Sequence, residues 1–125
     1  MTNAEPRGPA PARILVVDDD EAVRDAVCDV LAVLGYAAEA ASGAGAALER
    51  FRPGRYRLVV TDLAMPVMNG LQLARRLRAL EPTLPILIFS GAFPSVELPL
   101  EPFTIAPKPD VDALVRLVQR TLEPP

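Results

Sequence analysis

The chain has no histidine, no tryptophan and a single cysteine, Cys28. Without histidine it cannot build a Ser-His-Asp triad, a Cys-His dyad or a Cys/His zinc site. No apolar run approaches bilayer-spanning length, and the first residues lack a signal-peptide pattern. A reduced, cytoplasmic setting with no membrane partner is therefore expected. Formal net charge is −3, and no basic stripe marks one face, so no nucleic-acid partner is expected either.

What is present suits one domain. A chain of 125 residues buries about two-thirds of its unfolded surface and needs no structural metal or disulfide. Half of the residues are apolar and 23% are charged, an ordinary globular mix. The 14 prolines gather at both ends and between Phe93 and Pro109. Residues 1–12 read as a flexible leader and residues 123–125 as a frayed end, which leaves 13–122 as the folded unit.

Arg13 to Val17 ("RILVV") is short, apolar and rich in β-branched residues, as a buried strand requires. From Glu21 to Leu34, six apolar positions (Val23, Ala26, Val27, Val30, Leu31 and Leu34) share one helical face, and Gly35 closes it. Tyr36 to Ala41 is a weaker strand. Ser42 is the expected cap of a short helix ending near Phe51. Leu58 to Thr61 is a third strand. Gly70 to Leu80 is a helix with Leu73, Ala74, Leu77 and Leu80 on one side. Ile86 to Phe89 is a fourth strand and Pro102 to Ala106 a fifth. Val111, Leu114, Val115, Val118 and Leu122 mark a final helix. Strands alternating with helices predict an α/β fold, a parallel sheet covered on both faces. Right-handed crossovers then bring the carboxyl ends of all strands to one rim, where such sheets carry their sites.

Asp18, Asp19 and Asp20 follow the first strand, Asp62 the third, Ser90 the fourth and Lys108 the fifth. Carboxylates gathered at one rim repel each other unless a cation joins them. An oxygen-only ligand set suits Mg2+, with Mn2+ as the alternative. Asp62 then stays ionised as a nucleophile. A phosphoryl group accepted there would be held by the metal, the Ser90 hydroxyl and the Lys108 ammonium. Asp20 reads better as a helix cap than as a ligand. Cys28, Met65 and Met68 read as packing residues, and Arg75, Arg76 and Arg78 as a solvated face.

The stretches "ILVVDDDEAVR", "VVTDLAMPVMNG", "IFSGA" and "PKP" resemble the receiver domain of two-component response regulators over roughly Arg13 to Leu122. The resemblance implies a flavodoxin-like, doubly wound sheet of five parallel strands in the order 2-1-3-4-5. It implies that Asp18 and Asp19 form the acidic pair and that Asp62 is the phosphoacceptor. Ser90 matches the hydroxyl switch residue and Lys108 the lysine before a cis proline. The backbone carbonyl of Ala64 matches the third protein ligand of Mg2+. The implied phosphodonor is a histidine kinase or histidine phosphotransfer protein, and the implied output is a downstream protein target.

Three positions depart from the family pattern. Ile105 stands where the family carries a Tyr or Phe, and Phe103, of the same strand parity, is the candidate substitute. The interval from Ser90 to Lys108 is short, and the proline-rich "FPSVELPLEP" fills it, so the family's fourth helix is expected to be shortened or missing. Ala64 is small where larger or polar side chains are common, which opens the approach to the acyl phosphate. Two other functions stay open. One is a binding module that keeps the receiver shape without phosphorylation. The other is a small aspartyl-phosphate phosphohydrolase: "VVDDDEA" has the Asp-x-Asp spacing of the haloacid dehalogenase family, with Asp18 as nucleophile, although Ala22 stands where that family has Thr or Val.

Overall fold

A computed structural model describes residues 13–91 and 103–123. The elements run β1 (Arg13–Val17), α1 (Glu21–Val33), β2 (Ala37–Ala41), α2 (Ala44–Arg50) and β3 (Leu58–Thr61). They continue through α3 (Gly70–Leu80), β4 (Ile86–Ser90), β5 (Thr104–Pro107) and α4 (Val111–Leu122). The five strands form one sheet in the order β2-β1-β3-β4-β5, and every pairing is parallel. This is the expected flavodoxin-like order. Among the described residues there are four helices. The expectation of a shortened or missing helix after β4 falls on residues outside those described, as do the leader and the last two prolines.

β3 and β4 are buried along their whole length, and β1 from Ile14 onward, because helices cover both sides. Alternate residues of each strand feed two apolar clusters. Leu15, Val17, Val59 and Ile88 point towards α2 and α3, while Ile14, Val16, Val60 and Leu87 point towards α1 and α4. Burying a Val, Leu or Ile side chain is worth about 1.5–3 kcal/mol, so a one-residue slip of any central strand would disrupt both clusters at once.

The helix ends follow from local cap chemistry. Gly35 lies at φ +95° just after α1, and its N–H and that of Tyr36 bond to Ala32 and Leu31 carbonyls, a glycine-closed helix end as expected. Asn69 caps α3, with Gln72 answering in a capping box, which fixes the start at Gly70. Ser42 does not cap α2. The cap position is Gly43, in extended backbone and with no side-chain bond. Leu80 is 55% exposed rather than inward, and Leu71 is buried on α3 instead. On α1 only Val27 and Leu31 are buried. The expected strand from Pro102 to Ala106 is found as β5, Thr104–Pro107, with Phe103 just before it; Pro102 lies outside the described residues.

Candidate functional site

The carboxyl ends of β1, β3, β4 and β5 meet at one rim, and each carries a polar residue there. Asp18 continues β1, and its Oδ1 accepts the Asp20 N–H at 2.9 Å. Its Oδ2 accepts the Lys108 ammonium at 2.8 Å. Asp62 continues β3, and its Oδ1 accepts the Leu63 N–H at 2.8 Å and stands 3.4 Å from Lys108 Nζ. Asp18, Asp62 and Ser90 are 3%, 8% and 1% exposed, while Asp19 is exposed. Ser90 ends β4, and its carbonyl accepts the Lys108 N–H at 3.2 Å. The Lys108–Pro109 bond is cis, as expected. Residues ninety positions apart in the chain thus share one pocket.

Asp18, Asp19 and Asp62 each offer an oxygen, and these oxygens lie within 4.8 Å of one another. Three ionised carboxylates and one ammonium leave two negative charges uncompensated, and two of the carboxylates are buried. A hard divalent cation with oxygen ligands answers that need, so the donor set fits Mg2+. Ala64 is exposed in the loop after Asp62, at the same rim. Burial alone would lower the pKa of Lys108, but its bond to Asp18 and the charges of Asp62 and Asp18 outweigh it. The ammonium is held above its ordinary value of 10.5.

Asp20 lies outside this arrangement. Its Oδ1 accepts the N–H groups of Ala22 and Val23, so it caps α1, as expected. Phe103 and Ile105 both pack on the α2–α3 side. Phe103 is buried with the Arg78 guanidinium 5.2 Å from its ring centre, and Arg78 also bonds to the Leu84 carbonyl. Arg78 is therefore a packing residue, unlike exposed Arg75 and Arg76. Cys28 is half-buried against the α1–α4 cluster, and burial, then Asp25 and Asp29, raise its pKa.

Two supporting groups escaped the sequence reading. Arg24 of α1 reaches back to the Asp18 carbonyl at 2.8 Å and ties the acidic loop to the helix that follows. The Thr61 hydroxyl donates to the Asp62 carbonyl at 2.9 Å. Arg24 stands in the first turn of α1, six residues after Asp18, and a cation placed so close behind the acidic loop was the available signal. Thr61 offered none, because its partner is a backbone atom.

Similarity to known proteins defines the class. The family model for the response regulator receiver domain matches residues 14–98. The chain belongs to the receiver domain family. It is 42% identical over 81 residues to response regulator MprA of Mycolicibacterium vanbaalenii, covering 65% of this chain and 35% of that protein. It is 35% identical over 118 residues to DNA-binding transcriptional regulator NtrC of Azospirillum brasilense, covering 89% of this chain and 24% of that protein. The chain thus spans about a third or less of the length of these relatives. Among solved structures, response regulator protein TrrA of Thermotoga maritima in complex with Mg2+-BeF superposes with a TM-score of 0.78. That match has 27% identity and covers 89% of this chain and 99% of that one. No helix among the described residues is long and apolar enough to cross a membrane.

Proposed function

We propose that this receiver domain takes a phosphoryl group from the phosphohistidine of a kinase or phosphotransfer protein onto Asp62, and that Ser90 and Lys108 convert the event into a change of conformation. The observation that carries the reading is the single ammonium of Lys108 between two buried carboxylates, 2.8 Å from one and 3.4 Å from the other. An oxygen of Asp62 attacks phosphorus as the phosphorus–nitrogen bond of the donor breaks. The electron pair leaves with the imidazole, which takes up a proton. Asp18, Asp19, Asp62 and the Ala64 carbonyl would hold Mg2+, or Mn2+ in its place. The metal supplies positive charge against the phosphoryl oxygens during transfer.

The chain's own groups do the rest. The Leu63 N–H and Lys108 fix the direction of the Asp62 carboxylate. Lys108, held in its charged form, can leave Asp18 for a phosphoryl oxygen, and the Ser90 hydroxyl can donate to another. Those charge-assisted bonds are stronger than neutral ones and bias the rim towards a second arrangement. We assign the protein to signalling in the cytoplasm rather than to turnover of a substrate, with a protein as its downstream target. The DNA-binding role in the name of NtrC belongs to a protein of which this chain spans 24%, and it is not carried over. Asp20 caps α1 rather than facing the site, which weighs against a phosphohydrolase built on Asp18 and Asp20.

Incubation with acetyl phosphate and Mg2+ tests the reading. The expected product is a hydroxylamine-sensitive phosphoryl adduct at Asp62, seen by mass spectrometry and absent from Asp62→Asn. An adduct on Asp18, or none at all in the wild type, refutes it.

A further inference from the structure

Between β3 and α3 the backbone closes on itself around the Asp62–Leu63 peptide. The Asp62 N–H donates to the Val17 carbonyl at 2.9 Å, which ties the phosphoacceptor to β1. The next peptide group joins Asp62 to Leu63. Its carbonyl oxygen accepts the buried Thr61 hydroxyl at 2.9 Å. Its N–H points back at the Asp62 carboxylate, 2.8 Å from Oδ1. The first residue of α3 lies directly against this same peptide, and the Gly70 N–H bonds to the Leu63 carbonyl at 2.7 Å.

Gly70 has no alternative here. A Cβ on it would overlap the Asp62 carbonyl oxygen and stand 2.9 Å from that carbonyl carbon and 3.0 Å from Leu63 Cα. All three neighbours are backbone atoms, so none can swing aside. The peptide itself would have to shift or rotate, and its N–H would turn away from the carboxylate. The close approach, rather than an unusual φ, explains the glycine.

We infer that Thr61 and Gly70 are positioning residues which, given Asp62 as the phosphoacceptor, together hold the Asp62–Leu63 peptide so that its N–H aims the reacting carboxylate. Thr61 fixes the carbonyl end of the peptide by a hydrogen bond, and Gly70 fixes its plane by contact. A nucleophile displaced by about 1 Å loses on the order of 100-fold in rate, so the peptide plane is a direct lever on phosphorylation.

The test uses the full chain in two assays. In the metal-free protein, NMR should find the Leu63 amide proton shifted downfield and protected from exchange. Thr61→Val and Gly70→Ala should lose both features, while Thr61→Ser, which retains the hydroxyl, should keep them. With acetyl phosphate and Mg2+, the maximal phosphorylation rate should fall about 10-fold in Thr61→Val and about 100-fold in Gly70→Ala. The half-saturating acetyl phosphate concentration should stay unchanged. Gly45→Ala, whose Cβ would meet nothing within 4 Å, is the control and should behave as wild type in both assays. If Gly70→Ala does not fold, Thr61→Val decides alone. A Thr61→Val protein with wild-type amide signal and rate overturns the inference, even where Asp62→Asn abolishes phosphorylation. If the wild type accepts no phosphoryl group, the phosphoacceptor reading fails, and the metal-free Leu63 signal still decides the clamp.

Discussion

Lys108→Met separates the charge of the lysine from its bulk. Methionine keeps a long, flexible, apolar stem and removes the ammonium. In the wild type that ammonium lies 2.8 Å from Asp18 and 3.4 Å from Asp62, whose side chains are 4% and 9% exposed. Without it, two buried carboxylates and Asp19 face one another with no counter-ion. Breaking a buried pair by removing one partner costs about 3–5 kcal/mol. Lys108 is 20% exposed, so water recovers part of this, and a loss of about 3 kcal/mol at neutral pH is expected. Urea unfolding followed by circular dichroism measures it as a lower midpoint with an unchanged slope. Adding Asp18→Asn to Lys108→Met should recover part of the loss, because one unpaired charge disappears. Mg2+ should rescue the variant more than the wild type, since no ammonium competes for the same oxygens. At a hundred times its Kd a ligand adds about 2.7 kcal/mol. If Lys108→Met unfolds at the wild-type urea concentration without Mg2+, Lys108 is not the counter-ion of this pocket.

Three other outcomes follow from separate features. Val67 is a β-branched residue at φ +72° and is fully exposed, so Val67→Asn should relieve strain without losing packing. A gain of about 1 kcal/mol in urea unfolding is expected, and a loss would count against the strain. Glu39 on the edge strand β2 accepts the Tyr56 hydroxyl at 2.7 Å and pairs with Arg13 and Arg55 at 3.0 and 3.2 Å. Burial pushes its pKa up, but the bonds from Tyr56 and Arg55 and the charge of Arg13 win and hold it below its ordinary 4.5. A depressed carboxylate contributes stability that is full above 4.5 and lost as pH falls through its folded value. Glu39→Gln should therefore be less stable than wild type at pH 7, and the two urea midpoints should converge below pH 4.5; a constant gap would contradict the linkage. Leu77, fully buried between α3 and the sheet, should lose about 3 kcal/mol on Leu77→Ala, read by the same unfolding assay.

Much of the fold was readable because local and global signals agree. The β-branched runs at Ile14 to Val17 and Leu58 to Thr61 match strands buried on both faces. Asn69 with Gln72 fixes the start of α3 through two reciprocal hydrogen bonds. Ser42 misled because serine is a favoured cap by type, yet the turn after β2 places Gly43 at that position instead. Leu80 fits the helical period but is the last residue of α3 and is exposed there. The carboxylates, Ser90 and Lys108 were readable because parallel topology sends every strand end to one rim. The supports around Asp62 were not. Thr61 acts on a backbone carbonyl and Gly70 acts by contact after a loop closes. Neither leaves a pattern in residue types.

The central claim is that Asp62, Ser90 and Lys108 form one phosphoryl-responsive unit around the acidic cluster. The most direct measurement is NMR of the full chain titrated with beryllofluoride and Mg2+. Beyond the shifts that Mg2+ alone produces, wild type should show saturable shifts centred on Asp62, Ser90 and Lys108, and Asp62→Asn should show no such addition. Equal shifts in Asp62→Asn, or a wild type that does not respond, would contradict the account.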